Sequence, residues 1–103
     1  VCMAFPAIAA VDAGYKVFAV IDASGTYSKA AQEITLARVV QAGVVPMDTA
    51  AVASEIQRTW NRPDAAQWAE AYSLIFPHYR LLIESYTKAQ QVVTEHEVLD
   101  SQR

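Results

Sequence analysis

Two short apolar runs, Tyr15-Lys16-Val17-Phe18-Ala19-Val20-Ile21-Asp22 and Val44-Val45-Pro46-Met47, are separated by a stretch of helical character, and this alternation limits what the chain can become. The first run is nearly continuous and rich in β-branched and aromatic residues, the pattern of a parallel strand buried on both faces. The second is shorter, and Pro46 suits a sheet edge or strand end. Parallel neighbours need a long crossover, and the intervening helix supplies one, right-handed by the general rule. The expectation is an α/β chain with a parallel sheet in a three-layer arrangement. Two strands alone leave edges bare, so their neighbours are expected upstream or in a partner chain.

The helices are bounded by local signals. Met3 to Ala13 carries Ala4, Phe5, Ile8, Ala9 and Val11, and Gly14 follows as a C-terminal stop. Pro6 is tolerated only in a first turn, where the N–H groups have no intrahelical partner anyway. Cys2 is therefore expected at the start of this helix. Ser28 is the expected cap of a helix to about Ala42, with Ile34, Val39 and Val40 inward and Gly43 ending it. Thr49 is expected to cap a helix to about Thr59, with Val52, Ile56 and Trp60 a turn apart. After a loop at Trp60–Asp64 come two further helices, Ala65 to Ile75 and Tyr79 to Val98, separated by Pro77. The second carries Leu82, Ile83, Tyr86, Val92 and Val93.

Composition excludes several classes. Among 103 residues, 53% are hydrophobic and 18% charged, a globular balance. The net charge of −3 comes with no basic patch, which argues against nucleic acid as partner. No stretch reaches the roughly 18 apolar residues of a membrane span, and Asp12 interrupts the opening run, so no membrane role is expected. A single cysteine rules out an internal disulfide and fits a reducing, cytoplasmic setting. The chain opens at Val1-Cys2 without an initiator Met, the expected look of part of a longer protein or of a processed one.

Cys2 is the residue of greatest chemical interest. Unpaired N–H groups and the helix dipole at a helix start favour thiolate, and a thiolate attacks carbonyl carbon. Against this, a lone Cys beside an apolar helix is more often a small hydrophobe. Ser24, Gly25 and Thr26 follow a strand end, where open α/β sheets bind ligands, although a plain turn with helix-capping hydroxyls is the favoured reading. There is no glycine-rich dinucleotide fingerprint. His78 and His96 lack paired metal-ligand spacing and read as surface residues. Ser28 and Ser54 lack a nucleophile motif. Trp60, Trp68, Tyr72, Phe76, Tyr79 and Tyr86 read as core or as subunit interface.

Taken as a series, Val1-Cys2-Met3-Ala4-Phe5-Pro6-Ala7, Ala13-Gly14-Tyr15-Lys16-Val17-Phe18, Asp22-Ala23-Ser24-Gly25-Thr26, Arg38, Gln41-Ala42-Gly43, Glu55-Ile56-Gln57-Arg58-Thr59-Trp60 and Tyr79-Arg80-Leu81-Leu82-Ile83-Glu84-Ser85-Tyr86 resemble the C-terminal half of isochorismatase-like hydrolases, in particular the YcaC-type subgroup. The resemblance covers residues 1–90 and leaves 91–103 as a charged tail, helical in part. It implies a six-stranded, flavodoxin-like parallel sheet and an Asp-Lys-Cys catalytic set. Cys2 is the member carried over, and the Asp and Lys are expected upstream. Family members such as nicotinamidase and N-carbamoylsarcosine amidase cleave C–N bonds of small amides; isochorismatase itself cleaves a vinyl ether without a cysteine nucleophile. The implied protein is a cytoplasmic cysteine hydrolase with a small-molecule substrate and no cofactor or metal assigned. Its Asp and Lys being absent here, this chain alone is expected to be inactive. The subgroup's ring-like oligomers imply a homo-oligomer, with residues 63–90 as the candidate interface and Glu55, Arg58, Arg62 and Arg80 as candidate ion-pair members or solvated charges. One departure is Asp48-Thr49, where the subgroup usually carries Trp. The alternatives are a non-catalytic oligomeric module of the same superfamily and a thiol redox or sensor domain.

Overall fold

Phe18, Ala19 and Val20 form strand β1 and pair in parallel with Val45, Pro46 and Met47 of strand β2, in a sheet of order β1-β2. In this computed structural model residues 1–96 are described; α1 (Ala4–Asp12) precedes β1, and a 3-10 turn at Ile21–Ala23 follows it. Helix α2 (Lys29–Gln41) is the crossover to β2, and α3 (Thr49–Gln57), α4 (Ala65–Ile75) and α5 (His78–Glu95) complete the order. The alternation read from the sequence is thus present, as a mixed α/β fold with a parallel sheet. None of the helices among the described residues is long and apolar enough to cross a membrane.

The chain divides into two compact units, Val1–Arg58 and Thr59–Arg103. In the first, two helix–strand joints are built alike. Helix α1 ends with Gly14 at φ +92°, the Gly14 N–H on the Val11 carbonyl at 2.9 Å and the Tyr15 N–H on Ala10 at 3.0 Å. Helix α2 ends with Gly43 at φ +100°, the Gly43 N–H on Val40 and the Val44 N–H on Val39, both at 3.0 Å. This is the Schellman pattern, and each copy turns a helix into a strand. Glycine is required because an L side chain is strained at these φ values. The core between the joints is small: Ala4, Ala19, Val39 and Val44 are buried, with Met3, Ala7, Ile8, Val11, Val17 and Ile21 against them.

Several expectations need correction. The strands are not buried on both faces: in β1 only Ala19 is buried, while Phe18 is 44% exposed and Tyr15 lies outside the strand, exposed. A strand's face is covered only where another layer packs on it, and here that cover reaches Ala19 and not Phe18. On α2, Val39 is fully buried but Ile34 and Val40 are exposed. A helix turns about 100° per residue, so Ile34 and Val39 are about 140° apart and cannot share a narrow face. The inward row is instead Ala31, Thr35, Leu36, Val39 and Ala42. Ser28 does cap α2, its Oγ accepting from the Ala31 N–H at 3.1 Å.

Helix α3 is capped by Asp48 and not by Thr49. Asp48 Oδ1 accepts the Ala51 N–H at 2.7 Å, while Thr49 turns to Asp22. The helix ends at Gln57 because Arg58 adopts φ +65°, which leaves Thr59 and Trp60 outside it and Ile56 exposed. Asp48-Thr49 is where the sequence departs from its resemblance, and both of these polar side chains have a structural task.

In the second unit α4 has the bounds expected for it. Its start is fixed by Asp64, whose carboxylate pairs with the Arg62 guanidinium and accepts the Trp68 indole N–H at 3.2 Å, while Arg62 also lies 5.1 Å over the Trp68 ring. This pairing lowers the Asp64 carboxyl below its ordinary value, chiefly through the hydrogen bond from Arg62, and raises Arg62 in turn. Tyr72 is buried among Trp60, Phe76 and Tyr79, with ring centroids 5.7, 6.2 and 5.8 Å away. Of these four only Tyr72 is buried, while Trp60 is 50% and Phe76 37% exposed, so the cluster is only in part the core expected there. Tyr86 is instead exposed, its hydroxyl accepting from Gln90 at 2.8 Å. Helix α5 starts at His78, one residue earlier than expected, and none of its residues is buried; Leu81, Leu82 and Val93 are exposed. Val98 and the rest of the tail beyond residue 96 lie outside the described residues.

Candidate active site

Cys2 lies in a turn that runs straight into α1. The Phe5 N–H reaches the Val1 carbonyl at 3.3 Å, the Ala7 N–H reaches Met3 at 3.1 Å, and Met3 already has right-handed helical angles. Pro6 has no N–H to offer the Cys2 carbonyl, so the first turn is held from its flanks. The Cys2 thiol is free and exposed. The sequence signals of Pro6 and Gly14 therefore placed the thiol correctly at the helix start, where N–H groups have no intrahelical acceptor.

The thiol opens onto a cleft of about 610 Å³. It is lined by Cys2 and Met3 at the start of α1, by Ile21 and Ala23 through Tyr27 after β1, and by Ala31, Gln32, Thr35 and Leu36 of the first two turns of α2. The cleft thus sits beyond the carboxyl end of β1, where parallel sheets place ligands.

Neither Ser24 nor Thr26 caps a helix as the turn reading expected, that task falling to Ser28. Their hydroxyls serve the main chain, Ser24 Oγ donating to the Val20 carbonyl at 2.8 Å and Thr26 Oγ1 to Ser28 at 3.1 Å. Yet both residues, with Gly25, also line the cleft beside Cys2, which the plain-turn reading left out. Sequence reasoning missed Tyr27, Gln32, Thr35 and Leu36. A signal existed in the i, i+1, i+4, i+5 spacing of Ala31, Gln32, Thr35 and Leu36, which puts them on one face of a helix that begins beside a strand end.

Among the described residues no Asp, Glu, Lys, Arg or His side chain lines the cleft. No group of His, Cys, Asp and Glu there could hold a metal ion either. His78 and His96 are exposed on and just after α5. The chemical equipment of this cleft is one thiol, main-chain N–H groups at a helix start, hydroxyls and a carboxamide. Such a set can hold a neutral polar molecule and attack it with sulfur; it cannot by itself supply an acid–base pair.

No family model matches the chain. Over 86 residues it is 42% identical to the probable hydrolase YcaC of Escherichia coli (strain K12), a match covering 84% of this chain and 41% of that protein. Among solved structures, YcaC from Pseudomonas aeruginosa with hexane-2,5-diol and covalent acrylamide aligns with a TM-score of 0.75 at 33% identity. That alignment covers 84% of this chain and 42% of the other. The chain therefore spans about two fifths of the length of the relatives it matches.

Proposed function

Over most of its length the chain is a relative of YcaC, in the isochorismatase-like family, and on that premise we propose that it carries the nucleophile of a cysteine hydrolase acting on the C–N bond of a small amide-like molecule. The observation that carries the reading is the position of Cys2: an exposed thiol at the start of α1, opening onto a cleft beyond the end of β1. The hydrolase name of the Escherichia coli relative and the covalent acrylamide of the Pseudomonas aeruginosa one support it. Acrylamide is an amide-bearing electrophile that thiolates add to, and Cys2 is the only thiol this sequence has.

In this reaction the Cys2 sulfur adds to the amide carbonyl, and the carbonyl π electrons move onto oxygen. Main-chain N–H groups at the start of α1, Cys2's own included, stabilise that oxyanion. Collapse expels the amine, which takes up a proton, and leaves a thioester on Cys2. Water then hydrolyses the thioester, releasing the acid and restoring the thiol. The proton carrier and its electrostatic partner are the Asp and Lys of the family's set, and we assign neither to a residue of this sequence. The 103 residues alone are accordingly inactive as a hydrolase.

The lone thiol of this sequence fits a reducing, cytoplasmic setting, which is the localisation we propose. The exposed Leu81, Leu82, Tyr86 and Val93 of α5 make that helix the candidate contact between subunits of a homo-oligomer. The test of the activity is hydrolysis of a panel of small amides by the full-length protein and its Cys2→Ala form. Loss of turnover in the variant is expected; equal turnover by both overturns the nucleophile assignment.

A further inference from the structure

The chain has three glycines, and two of them are explained by their backbone. Gly14 and Gly43 sit at positive φ and end helices, whereas Gly25 does not have a positive φ. A Cβ built at Gly25 would meet nothing within 4 Å, so close packing does not demand a glycine there either. Nor is the position a free hinge. Ser24 Oγ donates to the Val20 carbonyl at 2.8 Å and Thr26 Oγ1 to that of Ser28 at 3.1 Å, which ties the main chain on both sides of Gly25. Gly25 lines the same cleft as Cys2, with open space where other residues carry a side chain. Glycine at such a place has one remaining use, which is to let a ligand approach the main chain closely.

We infer that Gly25 sets the size of the group that the Cys2 cleft admits, the room left by its absent side chain being taken by the part of a ligand beyond its reacting carbon. The inference rests on the reading of the Cys2 cleft as the substrate site and adds to it a specificity-determining residue. It holds whatever charged groups the full-length protein brings to the thiol, because a steric limit does not depend on them. A ligand with a bulky group passes over bare main chain; a side chain at residue 25 occupies that room and excludes it. The fold tolerates the same change. Alanine in place of glycine, at a φ that alanine can adopt, restricts the unfolded chain and stabilises slightly. Stability and the admission of bulky reagents are therefore expected to move in opposite directions, which no purely structural role of Gly25 produces.

The experiment uses the full-length protein with acrylamide and N-tert-butylacrylamide, which share a reacting carbon and differ in bulk. In both reactions the Cys2 thiolate sulfur forms a C–S bond to the terminal alkene carbon. The C=C π pair moves to the neighbouring carbon, which takes a proton from buffer. Mass spectrometry of the Cys2 peptide separates this thiol from any other, and each rate is divided by that of 2-mercaptoethanol. Wild type is expected to take both reagents with similar normalised rates. Gly25→Val should slow N-tert-butylacrylamide about tenfold relative to acrylamide, the effect of one overpacked side chain, and Gly25→Ala should slow it less. Gly25→Ala should unfold at the same urea concentration as wild type or a higher one. Circular dichroism checks that Gly25→Val is folded, and Gly25→Ala, the smaller change, carries the test if valine unfolds the protein. A reagent ratio that the folded variants leave at the wild-type value, or a wild type that already excludes the bulky reagent, overturns the inference. So does a urea midpoint for Gly25→Ala well below wild type, which would show another segment packed against Gly25. Alkylation needs no turnover, so failure of the hydrolase reading, seen as unchanged hydrolysis by Cys2→Ala, is recognised separately.

Discussion

Thr49 donates both its main-chain N–H and its hydroxyl to one oxygen of Asp22, each at 2.8 Å, across 27 positions of sequence. Asp22 sits in the turn that leaves β1, and Thr49 opens α3 directly after β2. The carboxylate therefore sits on the N-terminal N–H groups of α3, where a negative charge is favoured, and fastens together the ends of two parallel strands. The next residues after Asp22 are Ala23 to Tyr27, which line the cleft. The tie thus belongs to structure first and to the site through position.

Removing this tie should loosen both ends. Asp22→Ala is expected to destabilise the protein by about 1 kcal/mol, the usual worth of a helix-capping acceptor. Asp22→Asn keeps an acceptor oxygen and should cost less, and Thr49→Val keeps the N–H bond and should fall between. Urea midpoints with an unchanged m-value are the measurement. A midpoint for Asp22→Ala equal to wild type shows that the contact contributes nothing in solution.

Helix α2 offers a contrast between two apolar residues that look equivalent in sequence. Val39 is fully buried in the core, while Ile34 is 67% exposed. Val39→Ala should cost about 2 kcal/mol, since buried methyl groups are lost and a cavity is left. Ile34→Ala should lie within about 0.5 kcal/mol of wild type, as exposed substitutions do. Equal losses in thermal or urea unfolding would show that Ile34 is covered in the assembled protein.

That contrast marks where sequence reading stops. The order of helices and strands was legible because Gly14 and Gly43 end helices by a backbone conformation that other residues avoid, and Ser28 caps by its own side chain. Cys2 was placed at a helix start by Pro6, with Gly14 marking the far end, because proline's missing N–H and glycine's positive φ are local constraints. What depended on distant partners was not legible. Thr49 is a good cap by residue type, but Asp22 claims it, and the neighbouring Asp48 takes the capping task. Strand burial could not be read from Phe18, because burial depends on what lies across the sheet. The Gln32 and Thr35 lining of the cleft was hidden for a related reason: polar residues on an early helical turn look like solvated surface until the strand end is placed beside them.

The two glycine joints predict a matched pair of effects. Gly43→Ala should cost about 1–2 kcal/mol, because alanine at positive φ is strained. Crowding adds little, since a Cβ there would meet only Val11 Cγ1, at an ordinary 3.5 Å. Gly14→Ala should cost a similar amount, with nothing within 4 Å of the added methyl. Asparagine tolerates left-handed angles better, so Gly→Asn should be the milder change at both sites. If Gly43→Ala costs several times more than Gly14→Ala in urea unfolding, packing and not backbone strain governs that joint.

The Arg62–Asp64 pair carries the pH prediction. Asp64 has its carboxyl lowered in the folded state, first by the hydrogen bond from Arg62 and then by that from the Trp68 indole. A group whose folded value lies below its unfolded one binds fewer protons when folded. Its contribution is therefore complete above the ordinary carboxylate range, about pH 4, and is lost as pH falls through the lowered value. Asp64 is open to solvent, so screening keeps the effect small and salt should reduce it further. Asp64→Asn is expected to flatten the acid side of the stability curve of the second unit while leaving its shape above neutral pH unchanged. Fluorescence of Trp60 and Trp68, the two tryptophans of the chain, reports that unit during urea unfolding at pH 7 and at pH 3. Arg62→Gln should produce the same flattening by removing the partner; an acid limb as steep as wild type in both variants would assign the pH dependence to other carboxylates.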